Sequence, residues 1–344
     1  MKPIRVSYGF DSIPSPSDPM AGGGIVKFQA LQERFPNTRE DPDVLCLVSS
    51  RPPPDALALI ASARERGARI LFNQAAPACP ATHDTRWQKL NEPLVALLHA
   101  ADHVFYQSHF SRRIAARFLG ERQGPSEILY NAVDTSFFTP ATSDPDPHRL
   151  IVLLGGSQFR RYRLEMGLRA FANVLRHRPD AHLLVTGQLA FLAARAEARR
   201  IADGLIQELG IGDHVTLLGP YPQDRAPQVF QRAHVLIHPM YLDCCPTVLI
   251  EAMACGLPVA YGASGGAPEL VGPDAGVGVH GDEDYDNLHP PDPEALAQAV
   301  LSCADRRREL GEAGRARAVE RFDRGPWLRR YIETIERLAS TRIT

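Results

Sequence analysis

The sequence predicts an α/β protein made of two domains, each with a parallel sheet. Three observations carry that reading. The chain has 344 residues, a length that suits about two domains. Short apolar strands alternate with helical periods almost throughout, which is the pattern of βα units. The alternation pauses at the Pro- and Asp-rich stretch Thr139 to His148 and then restarts, and a stretch of that composition reads as an interdomain linker.

Taken in order, the first half predicts strands at Ile4–Tyr8, Val44–Val48, Arg69–Phe72, His103–Tyr106 and Glu127–Leu129. Helices fit between them at Ile25–Arg34, Pro54–Arg66, Leu90–Ala100 and Phe110–Phe118. After the linker, strands are predicted at Leu150–Leu154, His182–Thr186, Val215–Leu218, His234–His238 and Pro258–Tyr261. Helices fit Leu164–Arg176, Ala190–Leu209, Ala226–Gln231, Thr247–Ala254 and Pro293–Ala304, and the tail from Arg324 to Ala339 reads as one last helix. The expected domains are residues 1–140 and 141–323, with 324–344 as a terminal helix.

Composition excludes several classes. A hydrophobic fraction of 44% supports substantial cores, and a net charge of −2 with no basic run argues against nucleic acid. Lysine occurs only at Lys2, Lys27 and Lys89, which reads as codon bias as much as function. The N-terminus lacks a signal pattern, and no apolar run approaches the ~18 residues of a membrane span. The expectation is a cytoplasmic protein whose membrane contact is at most peripheral, at the inner face. The cysteines Cys46, Cys79, Cys244, Cys245, Cys255 and Cys303 form no C-x-x-C or zinc pattern and read as reduced thiols. The histidines show no metal spacing, so no metal site is expected.

The richest stretch runs from Pro239 to Ala260. An apolar strand ends at His238, a polar turn carries Asp243, and a helix opens near Pro246 and Thr247 and closes with Cys255-Gly256-Leu257-Pro258. A strand, a turn and a helix N-terminus make an anion site, because the first backbone N–H groups lack partners within the helix. Glu251, about one turn further in, suits sugar or ribose hydroxyls better than phosphate.

This stretch resembles the nucleotide-sugar signature of retaining GT-B glycosyltransferases of the glycosyl transferases group 1 (GT4-like) family. The family form is Glu, seven residues, Glu, then Ala-Met-Ala-Cys-Gly-x-Pro-Val. Here Asp243 replaces the first Glu, and Cys244-Cys245-Pro246 replaces Gly-Phe-Gly. The segment Asn131-Ala-Val-Asp134 to Pro140 resembles the family's Asn-Gly-Val-Asp-x-x-x-Phe-x-Pro. The resemblance spans the second half and the exit from the first, while the first half matches only in layout and at Gly22-Gly23-Gly24. It implies a GT-B fold of two Rossmann-like domains facing across a cleft, with the helix from Arg324 crossing back to the first domain.

The resemblance also implies a function: retaining transfer of a sugar from a nucleotide-diphosphate donor to a glycan, lipid-linked or small-molecule hydroxyl, with no cofactor and no metal. Asp243 would act at the reacting sugar and Glu251 would grip the ribose. Gly23, Gly24, Gly156, Ser157, Arg161, Cys245, Pro246, Thr247 and Val248 would complete the donor site. Aligned through Ala170-Phe171, the family's phosphate-reaching Lys falls on Tyr162 and its Arg on Ser157. The cation is then expected from Arg160, Arg161 or Arg163, with Arg161 preferred; three arginines at a helix start oppose its dipole unless an anion compensates. Asn73, Gln74 and His83, beyond a first-domain strand, are candidate acceptor contacts.

Other readings compete. The Asp243 and Tyr162 departures leave open a weakly active or inactive nucleotide-sugar binder or partner subunit. Gly262-Ala-Ser-Gly-Gly266 matches the G-x-S-x-G elbow of serine hydrolases, with Ser264 as nucleophile and Asp282 and His289 following in order, but Gly272-Pro273 cuts the next helix short. Gly276 to Gly281 fits G-x-G-x-x-G yet leads into an acidic loop instead of a helix. Asp282-Glu283-Asp284 mimics a metal-binding D-x-D and reads better as a solvated loop.

Overall fold

The computed structural model describes residues 3–15 and 23–341; Gly22 lies outside them. In chain order the elements are β1 (Val6–Ser7), α1 (Gly23–Gln32), β2 (Val44–Val48), α2 (Ala56–Glu65), β3 (Arg69–Gln74), α3 (Pro80–His83), α4 (Trp87–Ala100), β4 (His103–Tyr106), α5 (His109–Leu119) and β5 (Ser126–Ile128). There follow β6 (Ile151–Leu154), α6 (Arg161–His177), β7 (His182–Thr186), α7 (Arg195–Glu208), β8 (Val215–Gly219), α8 (Ala226–Phe230), β9 (Val235–His238), α9 (Thr247–Ala254), β10 (Val259–Gly262), α10 (Ala267–Val271), β11 (Gly276–Val279), α11 (Pro293–Asp305), α12 (Arg307–Arg321) and α13 (Arg324–Ser340).

The chain divides into two compact units. Unit 1 comprises residues 1–131, 285–287 and 324–344, and unit 2 comprises 132–284 and 288–323. The Pro- and Asp-rich stretch 139–148 therefore belongs to unit 2. Asp144 fixes it there, accepting from His234 Nε2 at 2.8 Å and Arg307 Nη2 at 2.6 Å; those two bonds pull its carboxyl down to about 2.

Among the described residues, unit 1 holds a five-stranded parallel sheet in the order β1-β2-β3-β4-β5. Strand residues alternate between its faces. Leu45, Leu47, Ile70, Phe72, Val104 and Tyr106 join one core cluster with residues of α2, α4 and α5. Their neighbours in sequence serve the other face, where α13 packs on β2 and β3. There Tyr331 meets the Phe105 ring with centroids 4.5 Å apart and accepts from Asn73 Nδ2 at 2.8 Å.

Unit 2 holds a six-stranded parallel sheet in the order β11-β10-β9-β6-β7-β8. The strand order reverses between β6 and β9. In open α/β sheets ligands bind outside the carboxyl ends of the strands at such a switch point, which directs attention to the turns after Leu154 and His238.

Several elements depart from the sequence expectation, β11, α12 and α7 among them. Strand β11 was read only as a failed glycine motif, because two of its four residues are glycine, a poor strand former. Helix α12 was not predicted, since only Leu310, Gly311, Gly314 and Ala318 are buried along its fifteen residues and no apolar stripe is visible. Helix α7 begins at Arg195, five residues after the expected start at Ala190.

Candidate active site

The site grows from the turn after β9. Leu242 adopts φ 53°, a left-handed conformation that costs a non-glycine residue energy unless its surroundings hold it. Ser264 Oγ accepts the Leu242 N–H at 3.0 Å and Gly266 N donates to Asp243 O at 2.8 Å. A Cβ at Gly265 would lie 2.5 Å from Asp243 O, so only glycine fits there. The 262–266 loop is thus a cradle for the Asp243 turn. It is not a nucleophile elbow: the Ser264 hydroxyl is occupied, α10 has only five residues, and His289 Nε2 pairs with Asp284 Oδ2 at 3.1 Å. The 282–284 loop is held by its backbone, the Asp282 and Asp284 carbonyls lying 2.9 and 2.8 Å from the Tyr241 hydroxyl.

Asp243 stands at the entrance to α9. Its Oδ1 accepts Cys245 N at 3.3 Å, and its side chain keeps 28% of its surface. Burial raises the carboxyl to about 6, while the Cys245 and Cys244 N–H groups and the Arg163 charge pull the other way. Cys245 is buried, Pro246 caps the helix, and Thr247 and Val248 form its half-exposed first turn. Glu251 lies on the same helix. Among the described residues no hydrogen bond or ion pair reaches its carboxyl, and burial pushes it up to about 7. Tyr221, whose hydroxyl burial and Glu251 both raise, stands beside it.

The β6–α6 turn leads into the arginines that are the candidate cations. Arg161 is turned outward, 61% exposed, with Nε 2.9 Å from Glu165 Oε1. It is Arg163 that lies inside, 4% exposed. Its guanidinium donates to Gly155 O, to Gln158 Oε1 and, at 3.4 Å, to Ser157 O. Burial lowers it to about 10, and the nearest compensating charge is Asp243. The sequence preferred Arg161; the helical register sends position 161 to solvent and position 163 in against the β6–α6 turn. Gly156 and Ser157 form the turn itself, with Gly156 N donating to Thr186 Oγ1 at 3.1 Å and Ser157 Oγ accepting Gln188 N at 3.2 Å. A Cβ at Gly187 would come within 2.5 Å of the Gly156 and Ser157 backbone, so the β7 end closes directly on this turn.

Tyr162, at the position of the family lysine, is a strut. Its hydroxyl accepts Tyr241 N at 3.2 Å and donates to Met240 Sδ at 3.5 Å. A lysine ammonium cannot accept the Tyr241 N–H, so Tyr162→Lys would loosen the turn that carries Asp243. His238 escaped the sequence reading altogether. It is 2% exposed at the end of β9, and its Nε2 lies 3.8 Å from Asp243 Oδ2.

The first-half candidates lie in unit 1. Gly23 and Gly24 open α1, and a Cβ at Gly24 would lie 2.7 Å from Ser50 Oγ, so packing alone accounts for that glycine. Asn73 and Gln74 are corrected as acceptor contacts. Asn73 is 2% exposed and bonded to Tyr331 and Gln107, while Gln74 is fully buried with Nε2 on Ala75 O at 2.5 Å. Over Asn73 the cover is α13; Gln74 points to the opposite face of β3, where α5 packs. His83 is half-exposed at the end of α3, its Nδ1 2.8 Å from Thr82 Oγ1.

The two arginines give opposite expectations. Arg161→Ala is expected to leave nucleoside diphosphate affinity within twofold of wild type by calorimetry. Arg163→Lys keeps the charge but not the fork that spans three acceptors, and is expected to weaken it at least tenfold.

The model of the family described as "Glycosyl transferases group 1" matches residues 139–317. A GDP-mannose-dependent alpha-(1-6)-phosphatidylinositol monomannoside mannosyltransferase of Mycolicibacterium smegmatis is 30% identical over 309 residues, covering 81% of this chain and 72% of its own length. A GDP-mannose-dependent monoacylated alpha-(1-6)-phosphatidylinositol monomannoside mannosyltransferase of Corynebacterium glutamicum is 27% identical over 256 residues, covering 68% of this chain; the chain spans 62% of that relative's length. Among solved structures, Anabaena HepE in complex with UDP and glucose superposes with a TM-score of 0.69 at 20% identity, over 91% of this chain and 81% of that one. That likeness gives the fold, GT-B. With the signature helix at the switch point of unit 2, the chain belongs to the glycosyl transferases group 1 family.

Proposed function

We propose that this chain is a retaining glycosyltransferase that moves a hexosyl group from a nucleoside diphosphate donor to an acceptor hydroxyl without a metal ion. One observation carries the reading. A buried cation (Arg163), the N-terminus of α9 and two carboxyls raised by burial (Asp243 and Glu251) belong to the turns and helix at the switch point of one sheet. The diphosphate gains charge as the glycosidic bond breaks, and Arg163 with the α9 N–H groups stabilises it. Gly156, Ser157, Cys245, Pro246, Thr247 and Val248 shape that pocket. Asp243 holds hydroxyls of the donor sugar, and Glu251 takes those of the ribose. The curated relatives make GDP-mannose the first donor to test and an inositol-bearing compound the first acceptor.

The experiment is transfer from GDP-mannose, with UDP-glucose in parallel, and NMR of the product's anomeric carbon. Retained configuration and rates unchanged by EDTA are expected. Inversion, or activity abolished by chelation and restored by Mn²⁺ or Mg²⁺, refutes those parts of the reading. A second reading, a nucleotide-sugar binder, draws on the Tyr162 hydroxyl standing where the family has a lysine; tight donor binding with neither hydrolysis nor transfer would select it.

A further inference from the structure

His238 is buried in a way that demands a partner. It closes β9 with 2% of its surface exposed. Among the described residues, neither Nδ1 nor Nε2 has a hydrogen-bond partner, and both atoms are shut off from solvent. A neutral imidazole carries one N–H and one lone pair, and buried polar atoms of native proteins are nearly always paired. An acceptor lies close by: the Asp243 carboxylate, with Oδ2 3.8 Å from Nε2. Oδ1 is already committed to Cys245 N, so Oδ2 is the oxygen with room for a donor. Closing 3.8 Å to the roughly 2.9 Å of an N–H···O bond takes less than a rotamer change.

We propose that His238 is a positioning residue for Asp243: its Nε2–H donates to Oδ2 of the ionised carboxylate and fixes the orientation in which that carboxylate meets the donor sugar. The inference rests on the donor role of Asp243 proposed above. His238 acts through Asp243 because its own nitrogens are closed to solvent and so to substrate. Burial and the Arg163 charge push the ring well below its usual range, which favours the neutral imidazole with one N–H to donate. The other groups facing Asp243 are Arg163 and Tyr162 from α6 and the Cys244 and Cys245 N–H groups from the α9 entrance. The β10–α10 loop brings backbone and the Ser264 hydroxyl to the same turn. Of these, Cys245 N is placed on Oδ1.

A hydrogen bond to the charged form lowers a carboxyl's pKa, so its loss raises it. Carboxyl ¹³C NMR of the full chain follows Asp243 directly. In His238→Phe the Asp243 titration is expected to move up by about one pH unit, a tenfold change in its ionisation constant, and His238→Gln, which keeps an N–H, is expected to recover most of it. In turnover, the acid limb of kcat/KM moves with that titration and kcat falls about tenfold, with nucleoside diphosphate Kd within twofold of wild type. An Asp243 titration unchanged in His238→Phe overturns the proposal. Should that variant not fold, ring ¹⁵N spectra of the wild type decide: a neutral Nε2–H tautomer whose proton moves downfield as Asp243 ionises is expected, and an Nδ1–H tautomer overturns it. A wild type that turns over no nucleotide sugar sinks the proposed function, while the titration still decides His238.

Discussion

Asp243→Asn is expected to lower turnover about 10²–10³-fold while changing donor affinity only a few-fold. The substitution keeps the shape of the side chain and removes its charge. An electrostatic group whose effect grows toward the transition state shows its loss in kcat rather than in ground-state binding. The same carboxyl sets the pH dependence. Burial holds it at about 6, so the charged form fills as pH rises through 6 and the wild-type rate should rise about tenfold per unit below that point and level above it. The acid limb should be missing in Asp243→Asn. Kinetics across pH 4.5–8 decide; wild-type turnover in a folded variant would make Asp243 structural.

Glu251→Gln should pull binding and stability in opposite directions. Removing a charged acceptor from two ribose hydroxyls is expected to cost roughly 1.5–3 kcal/mol of nucleotide affinity, read by calorimetry. Stability moves the other way. Burial raises the folded carboxyl to about 7, above the ~4.3 of an unfolded glutamate. Between those values the folded state binds the proton more readily than the unfolded state, so stability falls as pH rises through the window. The ionised form is the costly one. Glutamine removes that cost, and the ligand-free variant is expected to gain about 1–2 kcal/mol at pH 8, solvent screening of a half-buried group allowed for, and nothing at pH 4. Thermal melts at the two pH values test it; a variant less stable at pH 8 would mean that Glu251 has an internal partner.

Much of this was legible in the sequence. The apolar runs of β2, β4, β6, β7 and β9 stand out because parallel strands are buried on both faces, and Pro246 with Gly256-Leu257-Pro258 brackets α9. Asp243 in the turn and Glu251 on the helix stand out through the resemblance to the family signature. What stayed hidden depends on orientation or on distant cover. The outward turn of Arg161 and the inward turn of Arg163 differ by two positions in a run of basic residues, and only the contact with β6 separates them. Asn73 and Gln74 look like surface polar residues beyond a strand until α13 closes over the first and α5 over the second. His238 reads as the last letter of an apolar strand, since nothing in sequence marks a nitrogen left unpaired in three dimensions.

The discontinuity of unit 1 bears on how the chain is made. Its sheet is complete by Asn131, but the helix that covers one face ends roughly two hundred residues later, at Ser340. At typical rates of synthesis that delay is roughly ten to forty seconds. Until α13 leaves the ribosome, Leu71, Asn73 and Phe105 lie open and Asn73 waits for the Tyr331 hydroxyl. Residues 132–323, by contrast, emerge as one run apart from the three residues lent to unit 1, and can fold on emergence. Unit 2 therefore matures before the half that begins the chain, and the nascent first half is the form that needs shelter from aggregation.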